Sequence, residues 1–66
     1  MKNIEKMRRA KGMTQEELAT KIGVDRTSVT KWETGAAMPS SAKLPLIAAA
    51  LGCEISELYD SAGPAA

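Results

Sequence analysis

The chain has 66 residues, no His, a single Cys, and nine Lys and Arg against eight Asp and Glu. That length makes one domain, which buries only about 60% of the surface its unfolded chain exposes. Without His there is no His-based triad, and one Cys cannot build a zinc site, so neither an enzyme nor a metal or cofactor protein is expected.

With no Phe, one Tyr and few β-branched residues, strand signals are missing and the expected content is all-α, five helices. The first helix is predicted from about Asn3, as its N-cap, to Lys11. Ile4, Met7 and the stem of Lys11 line its inner face, and Gly12 ends it. The second opens on Thr14, with Glu17 three residues on. This is the spacing of a capping box, in which each side chain satisfies the other residue's backbone N–H.

Residues 15–35, QEELATKIGVDRTSVTKWETG, carry the most information. Leu18, Ala19 and Ile22 form one helical stripe, Gly23 breaks it, Val24 follows, and Val29 and Trp32 form a second stripe. Two short helices joined by a tight turn bury all of these positions together. Ala19 is small where the helices cross, and Gly23 can take the positive φ that ends the first of them. Asp25 is the expected cap of the third helix, which runs to about Thr34 and stops at Gly35. Such a pair has the form of a helix-turn-helix, whose second helix reads the major groove of DNA.

The segment 36–41, AAMPSS, reads as a connector, with Pro39 setting an extended turn. A fourth helix is predicted to start near Ser40 or Ser41, with Pro45 in or near its first turn, and to bury Leu44, Ile47, Ala48 and Leu51 before Gly52. The run from Leu44 to Leu51 is the longest apolar one and is too short to span a membrane. No signal peptide is evident, Cys53 reads as a small core residue in a reducing compartment, and the expected location is cytoplasmic. A last short helix over 54–59 is predicted to bury Ile55 and Leu58. Residues 60–66 have nothing large to pack and are expected to be a disordered tail after a domain of residues 1–59.

Charge is distributed unevenly. All nine cations lie in residues 1–43 with five acids, a net +4, whereas residues 44–66 hold only Glu54, Glu57 and Asp60, a net −3. Such a polarised chain suits one face on phosphate and the other on protein. At about 100° per residue, Val29 and Trp32 point inward, which leaves Arg26, Thr27, Thr30 and Lys31 on the other side of the third helix. That side has two cations, two hydroxyls and no acid. Arg26 can donate twice to a guanine edge, Lys31 can reach guanine O6 or N7, and the Thr methyls suit thymine. Ser28, at the edge of this face, can hydrogen-bond a phosphate.

From Ile4 to Leu58 the pattern resembles the phage repressor and Cro family, the lambda-repressor-like or XRE-type helix-turn-helix domains. The matching residues are TQEELATKIGV (14–24), Trp32, Glu33 and Gly35, then Met38 and Pro39, and the L-x-x-I-A-x-x-L-G run from Leu44 to Gly52. The resemblance implies a five-helix domain that binds double-stranded DNA, commonly as a homodimer, to regulate transcription. It also implies that Arg26, Thr27 and Lys31 touch bases or nearby phosphates, and that Gln15 grips a phosphate beside the N–H groups of its helix. Related domains often hold an Arg–Glu pair between the first helix and the end of the third, here Arg8 and Glu33. Dimerisation is expected through the last helix and the loop before it, with Ile55 and Tyr59 one helical turn apart. Many members place Lys or Arg after the glycine at 35; here Ala36 and Ala37 stand instead, which implies modest affinity per monomer. Two other functions fit the same residues: an antitoxin or restriction-controller regulator working with a partner protein, and a protein-interaction module that no longer binds DNA.

Overall fold

The computed structural model describes residues 1–59, so the expected tail lies outside the described residues. Four α-helices form in chain order: α1 (Lys2–Ala10), α2 (Gln15–Ile22), α3 (Arg26–Thr34) and α4 (Leu44–Leu51). A 3₁₀ turn, Ile55–Leu58, follows them, and no strand occurs among the described residues. α2 and α3 bury the stripes their spacing predicts, whereas Met7 and Leu44, predicted to line the inner faces of their helices, are half-buried. Ile4, Leu18, Val29, Ile47 and Leu58 are fully buried, one from each element, and Ala19, Ile22, Trp32, Ala48 and Leu51 complete the core. Trp32 is a packing residue, and Cys53 is half-buried against the same cluster as a free thiol.

The turn between α2 and α3 is set by local chemistry. Thr14 Oγ1 accepts from the Glu17 N–H at 3.0 Å and Glu17 Oε1 accepts from the Thr14 N–H at 2.8 Å, which closes the predicted capping box. Gly23 ends α2 at φ 78°, where a side chain would be strained, and the Val24 N–H returns to the Ala19 carbonyl at 2.9 Å. The chain therefore turns within three residues, and α3 packs directly on α2 and α1.

Four expectations in and around the helices are corrected. Met1, not Asn3, is the N-cap of α1, because the Asn3 amide is engaged elsewhere: it donates to the carbonyls of Glu57 at 3.1 Å and Tyr59 at 2.9 Å. Lys11 is exposed just beyond α1, and its side chain lies across Gly52. Asp25 occupies the N-cap of α3 with extended backbone, and its carbonyl accepts from the Ser28 N–H at 3.0 Å, but its side chain makes no cap bond and acts on the helix through its charge. The fourth helix starts at Leu44, after a turn in which the Ser40 carbonyl accepts from the Lys43 and Leu44 N–H groups. A start at Ser41 would leave that residue's carbonyl without the N–H that Pro45 lacks.

The fifth element is a 3₁₀ turn of four residues, and Tyr59 follows it in extended conformation, so Ile55 and Tyr59 are not one α-helical turn apart. Only Leu58 is buried from it; Ile55, expected in the core, is exposed. With a single inward residue, a segment this short gains too little burial to propagate an α-helix. The two bonds from Asn3 tether it to α1.

Candidate nucleic-acid interface

The outer side of α3 follows from what its inner side must do. Val29, Trp32 and Glu33 are buried, which turns Arg26, Thr27, Lys31 and Thr34 to solvent; Ser28 is half-buried, and so is Thr30, predicted on the outer side, because Gln15 lies against it. Arg26, Thr27 and Lys31 thus share an exposed surface with no acid within the helix other than the buried Glu33. Thr34 was not singled out from the sequence, and its hydroxyl turns back to the carbonyls of Thr30 at 3.0 Å and Lys31 at 3.4 Å. Ala36 is exposed and Ala37 half-buried beyond Gly35, so the surface next to α3 there is uncharged.

Beneath this face lies a polar network. Arg8 Nε donates to Glu33 Oε2 at 2.6 Å and Nη2 to Glu33 Oε1 at 3.0 Å, a bidentate pair in which Arg8 is 7% and Glu33 5% exposed. Arg8 Nη1 donates to the Met13 carbonyl at 2.7 Å. Gln15 Nε2 donates to Glu33 Oε1 at 2.8 Å, and Thr30 Oγ1 donates to Gln15 Oε1 at 2.9 Å. No buried side-chain polar atom among the described residues lacks a partner. Four residues from α1, α2 and α3 therefore hold the angle of α3, a fixed scaffold beneath its exposed side chains. The Met1 ammonium adds a bond of 2.6 Å to the Trp32 carbonyl near the end of α3.

Residues 4–58 match the helix-turn-helix family model. The chain belongs to this family of transcription regulators. Among curated proteins it is 36% identical over 55 residues to the HTH-type transcriptional activator BcrR of Enterococcus faecalis, over 83% of this chain and 27% of that protein. The chain thus spans about a quarter of that relative's length. Among solved structures it is similar to the restriction-modification controller protein C.AhdI of Aeromonas hydrophila, with a TM-score of 0.82, 36% identity and 88% of each chain covered. It is also similar to the hypothetical transcription factor NHTF from Neisseria, with a TM-score of 0.79 and 38% identity over 85% of this chain and 63% of that one.

In this helix-turn-helix domain the Arg8–Glu33 contact that the resemblance implied is an ion pair, and its partners set how Glu33 titrates. Burial alone raises a carboxyl pKa. The hydrogen bonds from Arg8 and Gln15, with the charge of Arg8, outweigh it and hold Glu33 below the usual carboxylate range. The hydrogen bond to Glu33 likewise raises Arg8 despite its desolvation. A depressed folded-state pKa contributes stability that is present above the unfolded value and lost as pH falls through the folded one. Melting temperature should therefore fall on acidification through and below the ordinary carboxylate range. In Glu33→Gln, which has no proton to gain at this site, the fall should be shallower. Parallel curves for the two proteins would remove Glu33 from the account of acid stability.

Neither the engagement of Gln15 with Glu33 and Thr30 nor the Asn3 tether was legible in the sequence. The only signal for the first was polar residues one turn apart on α3, at Thr30 and Glu33, opposite a Gln in the first turn of α2.

Proposed function

We propose that this protein binds double-stranded DNA sequence-specifically as a homodimer, with α3 in the major groove of a near-palindromic operator. The observation that carries this reading is the exposed face of Arg26, Thr27 and Lys31, which is free of acid and held on a buried ion-paired scaffold. Arg26 donates in pairs to a guanine edge, Lys31 reaches guanine O6 or N7, and the Thr27 methyl meets thymine. Gln15 and Ser28 lie where phosphates flank the groove and fix register without reading sequence. The dimer forms through Ile55 and Tyr59, which are 39% and 46% exposed on the acidic side of the chain. The protein works in the cytoplasm, with genomic DNA.

Arg26→Ala and Lys31→Ala are the direct test. Each removes an exposed side chain, so stability should change by only about 0.5 kcal/mol. Discrimination between the operator and a single-base variant should fall by roughly 1–3 kcal/mol at the base that is contacted. Footprints of both variants identical to that of the parent would place the reading surface elsewhere.

A second reading is favoured by one observation, the similarity to a restriction-modification controller protein over 88% of both chains. In that reading the DNA contacts are the same, and the regulated gene encodes a partner enzyme or toxin.

A further inference from the structure

Resting on the DNA-binding reading above, we propose that Thr30 is a positioning residue that acts on DNA through Gln15 and does not itself read a base. The direction of the hydrogen bonds carries the argument. An ionised carboxylate only accepts, so the amide NH₂ of Gln15 must be the group facing Glu33 Oε1 at 2.8 Å. That fixes the flip of the amide and turns Gln15 Oε1 toward Thr30, whose hydroxyl must then donate across 2.9 Å. The same hydroxyl also lies 3.2 Å from the Arg26 carbonyl, so its one proton is committed within the protein. Thr30 is half-buried, whereas Arg26, Thr27 and Lys31 are exposed.

Gln15 is left with one amide N–H, on an amide held by hydrogen bonds at both its nitrogen and its oxygen. It is the first residue of α2, where backbone N–H groups have no partner within the helix, and it lines a surface groove with Arg8, Thr14, Glu16 and Arg26. A DNA phosphate meeting that N–H finds a donor already aimed. Thr30 on α3 and Gln15 on α2 thereby tie the phosphate contact to the position of the reading helix.

The test uses Thr30→Val, which keeps the shape and removes the hydroxyl, Thr30→Ser, which keeps the hydroxyl, Gln15→Ala and the Thr30→Val/Gln15→Ala double variant. They are titrated against the duplex selected by the parent protein and against its single-base variants. Thr30→Val should weaken binding by about three- to ten-fold on every duplex alike, the span of one hydrogen bond. Thr30→Ser should restore it, and in the Gln15→Ala background Thr30→Val should have no further effect. A merely structural role would weaken binding in the Gln15→Ala background as well. Additive losses, or a changed preference at one base pair in Thr30→Val, would overturn the inference while leaving DNA binding intact. A parent protein that selects no duplex overturns the functional reading itself.

Discussion

Glu33→Ala is expected to remove a large share of the stability of this domain. The carboxylate is 5% exposed and takes two hydrogen bonds from Arg8 and one from Gln15. Without it, a guanidinium that is almost fully buried keeps only the Met13 carbonyl. Breaking a buried pair from one side costs about 3–5 kcal/mol. A chain of 66 residues has roughly 3–10 kcal/mol in all. Each kcal/mol is worth about 4–8 °C at this size, so the melting temperature should drop by at least about 12 °C. Glu16→Ala, at an exposed position in the first turn of α2, should stay close to the parent. Replacing both partners with apolar residues, as in Arg8→Met with Glu33→Leu, should recover part of the loss, because no charge is then stranded. Equal melting temperatures for Glu33→Ala and Glu16→Ala would reduce the pair to a surface contact.

Ile55→Asp should give a folded monomer that no longer binds its operator tightly. The side chain is exposed, and the anchor of the 3₁₀ turn is its fully buried neighbour Leu58, so the core is untouched. A carboxylate placed beside Glu54 and Glu57 adds like charge to the proposed contact between two copies. Linking two reading heads raises avidity by about 10²–10⁴ without new contacts, and that factor is what the monomer forfeits. Sedimentation and operator titration check the two halves separately. A parent protein that is monomeric on its site, or a variant that binds as tightly as the parent, would contradict the dimer.

Where the sequence was legible, one physical pattern explained each element. The stripes Leu18–Ala19–Ile22 and Val29–Trp32, the box of Thr14 and Glu17, and the left-handed glycines at 23 and 35 all act within a few residues, so their spacing in the chain is their spacing in space. Side-chain hydrogen bonds over long separations leave no such mark. Asn3 has the identity of a helix cap, yet its amide serves carbonyls more than fifty residues away. Gln15 is an ordinary first-turn residue in the sequence, and only the packing of α2 on α3 brings it to Glu33 and Thr30. The pairing of Arg8 with Glu33 was available through resemblance to related domains, since nothing in the spacing of residues 25 apart requires it. The last element, predicted as a short helix over 54–59, is a four-residue 3₁₀ turn, and exposure of Ile55 depends on which surface that segment meets.

Selection of bound duplexes from a random pool tests the central claim most directly, because it asks at once whether the protein reads DNA and with what symmetry. Two copies of α3 on one face of the double helix should enrich a near-palindrome with half-site centres one helical turn apart, about 34 Å or roughly 10 base pairs. Preference at the contacted base pair should relax in Arg26→Ala and in Lys31→Ala. A pool that stays random with the parent protein, or converges on a site without two-fold symmetry, would contradict the account.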